Sequence, residues 1–155
     1  MRSQIDLRLA RHGAILLLLG MLEGFLIRNF HNVGAGRAAH LVGFLGGYGL
    51  IAIGLLWPRL NLTRFWSSTG AWVTAGSLYL NWLGVVLIVL GSGPVAAGTV
   101  IPGSPTFWND AAWIVLKLAI LTSLLSVIII LIGLRNLAES TASPGTAARA
   151  GVTTT

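Results

Sequence analysis

Four places in this sequence carry polar chemistry inside long apolar runs: Glu23, His40, Lys117, and Tyr79 with Asn81. An ionisable group at membrane depth costs about 3 kcal/mol, so its presence there is a functional hypothesis from the outset. Glu23 lies about ten residues into one apolar run. Lys117 lies about seven residues into another, which enters from the opposite side. At about 1.5 Å per residue both fall near the middle of a bilayer. They are expected to pair. The pair fits a packing device, and it fits a carboxylate beside a proton path or substrate.

His40 shares a helical face with Gly43, Phe44, Gly47, Ile51 and Gly54. Residues three and four apart lie on one side of a helix. Gly43 and Gly47 have the spacing that lets two helices approach closely, with His40 bonded to the neighbour. The same spacing leaves a flat wall beside an imidazole. Such a wall could accept a planar macrocycle, with His40 as axial ligand to its iron. Arg37, one turn before His40, and Arg28 could meet haem propionates through charge-assisted bonds. Both arginines also suit plain interfacial anchoring. His12 and His31 share no face with His40, so a haem here is expected to be five-coordinate. An open coordination position suits binding or catalysis better than electron transfer.

Tyr79 shares a face with Trp72, Gly76 and Leu83, and near mid-span its phenol needs a partner. It could orient a polar group on an apolar substrate, or pack within a bundle. Other chemistries are missing. Without cysteine there is no disulfide, thiolate metal site or cysteine nucleophile. No phosphate-binding glycine loop and no nucleophile–His–Asp set is visible.

These residues require elements that hold them in lipid. The chain has 155 residues, 55% hydrophobic and 9% charged, against about 25% charged in soluble domains. Its mean hydropathy is +0.83. So much apolar surface cannot be hidden in a soluble domain of this length, and the excess must face lipid. An all-α integral membrane bundle of four helices follows, in one domain over 1–137. The spans are expected at about 13–30, 38–57, 68–90 and 111–134, each near the roughly 20 residues a bilayer needs. The first run is expected to be retained rather than cleaved, because Glu23 interrupts it and no small-x-small site follows directly. A Gly- and Pro-rich connection precedes the fourth span. Residues 138–155 are expected to be a disordered tail.

The net charge of +6 is spread thinly at the ends of the apolar runs, which points to membrane orientation and not to nucleic acid. Arg2, Arg8, Arg11, Arg59, Arg64, Arg135 and Arg149 fall on one side, with only Arg28 and Arg37 on the other. The positive-inside rule then puts both termini in the cytoplasm. Trp57 and Trp66 are expected in an aromatic belt at the inner boundary, and Trp108 and Trp113 in one at the outer.

Three segments resemble the styrene oxide isomerase family of small membrane enzymes. Arg11-His12-Gly13 before an aliphatic run is similar to the family's opening His-Gly. Gly36-Arg37-Ala38-Ala39-His40, followed by Gly46-Gly47, resembles its Arg-Ala-His segment with Asn-Gly six residues after the histidine. Trp72 to Asn81 resembles its Trp-x-x-x-Gly-x-Tyr-Leu stretch. The resemblance covers roughly residues 8–135.

It implies a homotrimer in the bacterial inner membrane, with haem b between subunits and ferric iron acting as a Lewis acid. The implied reaction turns a small aryl epoxide into an aldehyde by Meinwald rearrangement. His40 would bind the iron, with Arg37, Gly43 and Gly47 around the haem. Tyr79 would position the epoxide. The family's asparagine falls on Gly46 here, and Asn81 is the candidate replacement. Tyr79 is also one residue further from Trp72 than the family spacing. A haem-binding membrane protein for sensing or electron transfer is the alternative, and a cofactor-free bundle built on Glu23 and Lys117 is a third reading.

Overall fold

The computed structural model describes the backbone of residues 2–91 and 107–142, and side chains over 7–91 and 107–137. It is all-α. The helices are α1 (Arg2–Leu26), α2 (Val33–Leu56), α3 (Arg64–Gly91) and α4 (Phe107–Ala142), with short 3₁₀ turns at Ile27–Asn29 and Trp57–Arg59. All four are long and apolar enough to cross a membrane. The spans run Leu7–Asn29, Val33–Arg59, Arg64–Gly91 and Phe107–Leu137. Each reaches beyond the apolar core that hydropathy picks out, because polar helix formers such as Arg8 and Arg11 extend the helix into the interface. Helix α4 also continues through 138–142, part of the expected tail. The rest of that tail, and most of the Gly/Pro-rich connection, lie outside the described residues.

Local signals set the ends. The Asn32 side chain accepts the Ala35 N–H at 2.9 Å and caps α2. Pro58 cannot continue a helix, and α2 gives way to a 3₁₀ turn there.

Helix α1 packs along α2, α4 packs along α3, and α2 against α3 joins the two hairpins. Small residues permit this. A Cβ at Gly13 would lie 2.7 Å from the Gly47 carbonyl oxygen, and one at Gly20 would lie 2.7 Å from the Phe44 nitrogen. Backbone therefore meets backbone down the α1–α2 seam, as small residues allow between membrane helices. In the second hairpin the Thr74 and Ser126 hydroxyls lie 2.6 Å apart, and Thr74 also donates to the Gly70 carbonyl. One core gathers Leu9, Leu16, Leu50 and Ile129, and a smaller one gathers Ala35, Ala39 and Val89.

Trp57 corrects the expected belt. It is buried in the core, and its indole donates to the Ser67 carbonyl oxygen at 3.1 Å. Trp66, Trp108 and Trp113 are exposed, as a belt requires. The outer faces, α4 above all, present mostly leucine and isoleucine, with Lys117 among them on α4. Lipid is the solvent such faces fit.

Candidate functional site

The site is built where α1, α2 and α3 meet. His40 lies seven residues into its span and Glu23 six from the end of its own. Each is therefore about 10 Å below the same end of the bundle at about 1.5 Å per residue. Two α1 glycines make room for the imidazole. The His40 Nδ1 lies 2.6 Å from the Gly20 carbonyl oxygen. A carbonyl only accepts, so Nδ1 carries the proton and donates. A Cβ at Gly24 would come within 3.1 Å of the ring, so the imidazole packs against that glycine. The tautomer is thereby fixed. In the neutral ring Nε2 then carries the lone pair. This is the orientation a carbonyl confers on metal-binding histidines.

Glu23 lies between these two glycines on α1. Glu23 accepts a hydrogen bond from the Trp82 indole at 3.0 Å. The indole lies over Gly43, where a Cβ would come within 3.0 Å of it. The expected Glu23–Lys117 pair does not form, because Lys117 is exposed on α4, which packs on α3. Trp82→Phe should leave one carboxylate oxygen without its donor. A loss of about 2 kcal/mol is expected, read from thermal unfolding in detergent. Glu23→Gln should cost less, since an amide oxygen still accepts.

Gly43 and Gly47 do not form an open wall. Gly43 is closed by Gly20 and Trp82, and Gly47 by Leu17 and the Gly13 carbonyl. Their spacing serves the α1–α2 contact. The open face next to His40 carries Phe44 and Tyr48. The His40 and Phe44 rings are 5.9 Å apart and the Phe44 and Tyr48 rings 4.9 Å apart. Tyr48 is half exposed. Arg37 is exposed one turn before His40, and Arg28 is exposed in the 3₁₀ turn after α1.

Tyr79 stands elsewhere. Its hydroxyl donates to the His12 carbonyl at 3.0 Å. His12 and Gly20 are eight residues apart on α1, so this bond lies about 12 Å along the helix from the His40 bond. The His12 ring meets Trp72 and Tyr79 edge-on, at 5.6 and 5.9 Å. Asn81 is half buried beside Trp82. At Gly46 a Cβ would meet Leu16 at 3.2 Å and Leu78 at 3.9 Å. An apolar wall stands at that position. Sequence reasoning missed Trp82, Gly20, Gly24 and Tyr48. Glycine-x-x-x-glycine at Gly20 and Gly24, on the face of Glu23, was the available signal for the α1 half.

The residues fit an iron porphyrin. Among the described residues no three histidine, aspartate, glutamate or cysteine side chains converge. A lone imidazole cannot hold an iron ion by itself. A macrocycle would supply the remaining ligands, and the open, aromatic side of α2 at His40 suits its apolar edge.

A family profile described as styrene oxide isomerase matches residues 5–135. Hydroxylaminobenzene mutase HabA of Ectopseudomonas oleovorans is 43% identical over 91 residues, covering 56% of this chain and 67% of the relative. Hydroxylaminobenzene mutase HabB of the same organism is 38% identical over 96 residues, covering 59% of this chain and 58% of that relative. No solved structure matches. The profile and both relatives carry names from one reaction class, rearrangement within a single molecule. The match extends over most of the sequence, from before the first span to the end of the fourth, and on that extent the chain belongs to the styrene oxide isomerase family.

Proposed function

We propose that this protein is a membrane isomerase that rearranges a small apolar arene bearing a reactive oxygen bond, with haem b held at His40. In the leading reading the substrate is an aryl epoxide and the product an aldehyde, formed by a 1,2-hydride shift. The observation that supports the reading is the Gly20–His40 bond, which occupies Nδ1 and leaves Nε2 of the neutral ring for a ligand.

When bound, ferric haem b would supply an electrophile at the substrate oxygen. The protein's own part is to hold and to exclude. Gly20 and Gly24 lock the imidazole. Arg37 and Arg28, at the outer ends of their helices, would anchor propionates. Phe44 and Tyr48 would give an aromatic substrate an apolar bed. Low water content favours rearrangement over hydrolysis, because a cationic carbon meets no competing nucleophile. Tyr48 on the His40 face is exposed, and a second copy would close that face. A homotrimer with haem between subunits would do so. Both termini would then face the cytoplasm of a bacterial inner membrane.

A second substrate reading has its own support. Two relatives at 38% and 43% identity are named for hydroxylaminobenzene. An aryl hydroxylamine shares the demands of an aryl epoxide: polarisation at oxygen, a positive charge spread over the arene, and no net redox change. The apolar wall at Gly46 also favours a substrate other than the epoxide that an asparagine would assist. Incubating purified protein with each class in turn decides between them. The proposal expects an isomer of unchanged mass from at least one, without an added electron donor.

Tyr79 and Asn81 remain proposed substrate contacts, and turnover tests them separately from stability. With its hydroxyl already on His12, Tyr79→Phe should lose about 1 kcal/mol of stability. As a substrate contact it should also lose about tenfold in kcat/KM, beyond what the stability loss explains. An unchanged kcat/KM would remove the phenol from the substrate site.

A further inference from the structure

Lys117 is the chain's one lysine, and nothing described so far gives it a role. Ala112, Ala119 and Ser126 form the buried side of α4, toward α3. At about 3.6 residues per turn Lys117 is on the opposite side. It heads a stripe with Leu121, Leu124 and Ile128, spaced four, three and four residues apart, and all of them are exposed. That spacing is the seam along which one helix packs on another. Among the described residues Lys117 has no hydrogen-bond or ion-pair partner. An ammonium facing lipid is costly, so this one calls for a counter-charge from outside its own chain.

A carboxylate stands at the same depth, and α3 serves as the ruler. The Trp82 indole holds Glu23, while Gly84 meets Leu116, the neighbour of Lys117. Trp82 and Gly84 are two residues apart, or about 3 Å of helix. Glu23 is half-buried, and the indole occupies its Oε2 only. Its other oxygen can accept a second donor.

Beside Glu23, α1 carries a matching stripe. Ile15, Leu22 and Leu26 are exposed and Leu19 is half-buried, again spaced four, three and four residues apart. Helices α1 and α4 run in opposite directions through the bundle. With Lys117 level with Glu23, Leu121 falls beside Leu19 and Leu124 near Ile15. Charge and apolar pattern therefore match in a single register. Within one chain the two surfaces do not meet, because α4 packs on α3 and Lys117 is on its far side.

We infer that the outer face of α4 docks on α1 of a second copy of this chain, with Lys117 paired to Glu23 of the partner subunit. Each chain offers both surfaces, so the contact is head-to-tail and repeats until a ring closes. One copy thereby completes the site of another, since Glu23 lies between Gly20 and Gly24, the glycines against which His40 rests. The inference rests on the association of copies proposed above, and it needs neither haem nor substrate.

Association of the full chain in lipid vesicles tests it, read by energy transfer between labelled copies across a range of protein-to-lipid ratios. Lys117→Met should weaken association at least about tenfold, because removing one member of a desolvated charge pair strands the other. Glu23→Gln keeps an acceptor for Trp82 and should weaken it by a similar factor. The double variant should fall within about twofold of either single one, whereas independent sites would multiply to about 100-fold. Lys117→Arg should restore association. Lys117 touches nothing in its own chain, so helical circular dichroism of its variants should match the unmodified protein. Asp110 is on the same side of α4, seven residues from Lys117 and about 10 Å along the helix. Asp110→Asn should leave association unchanged, and a loss equal to that of Glu23→Gln would overturn the pairing. Multiplicative losses in the double variant would also overturn it. So would unchanged association in Lys117→Met, which would leave the ammonium reaching toward lipid headgroups. An unmodified chain that stays monomeric would overturn this inference together with the association on which it rests. A haem-free protein that shows the expected losses would support it while the haem reading of His40 fails.

Discussion

His40→Ala should purify as a folded, colourless protein with turnover reduced by at least about 100-fold. Loss of even an outer-shell partner of a metal ligand costs about 10–100-fold, and here the ligand itself is removed. The fold should survive, because the α1–α2 seam is carried by Gly13, Gly20, Gly43 and Gly47 and not by the imidazole. Helical circular dichroism and the visible spectrum, read on the same sample, separate the two effects. Retention of the full haem band in His40→Ala would move the iron site elsewhere. His12→Ala is the control: its ring is packed on Trp72 and Tyr79, and haem content should not change.

Gly43→Val is the second large effect. A Cβ at Gly43 would lie 2.9 Å from the Gly20 Cα and 3.0 Å from the Trp82 ring. Backbone on one side cannot yield without separating α1 from α2, and the indole on the other is tethered to Glu23. Overpacking of this kind costs about 3 kcal/mol. The same shift pulls the Gly20 carbonyl from His40, so haem affinity should fall along with thermal stability. Gly49→Ala and Gly76→Ala are matched controls, because nothing lies within 4 Å of a Cβ at either position. Each should be neutral or gain up to about 1 kcal/mol from helix propensity. Equal melting temperatures for Gly43→Val and Gly49→Ala would contradict the seam described above.

The contrast between those glycines shows what was legible in the sequence. Four apolar runs sufficed for four helices, since a bilayer leaves the backbone few other solutions. Spacing alone marked Gly43 and Gly47 as a close-packing pair. It could not say whether a helix or a ligand fills the space, and α1 fills it. Depth was readable for Glu23 and Lys117, but azimuth was not. Lys117 sits on a helix whose main neighbour is α3, and Glu23 finds an indole instead of an ammonium. Trp82 escaped notice because tryptophan in a span reads as packing or belt until its N–H is seen to have an acceptor. Tyr79 was placed on a sensible face, yet its partner is a main-chain carbonyl, which no side-chain pattern reveals. His40 stood out for the opposite reason. An imidazole inside an apolar run has few bland roles, and its partner lies at the one depth where α1 offers two glycines.

The central claim is that a haem-loaded membrane isomerase works at His40. The most direct test is turnover of an aryl epoxide in ordinary water, and of an aryl hydroxylamine in ¹⁸O-labelled water, by purified, haem-reconstituted protein, with product masses recorded. The account predicts an isomer of unchanged mass from at least one substrate, formed without an electron donor and abolished in His40→Ala. A diol from the epoxide, an aminophenol carrying ¹⁸O from the hydroxylamine, or an isomer formed equally well by His40→Ala would contradict it.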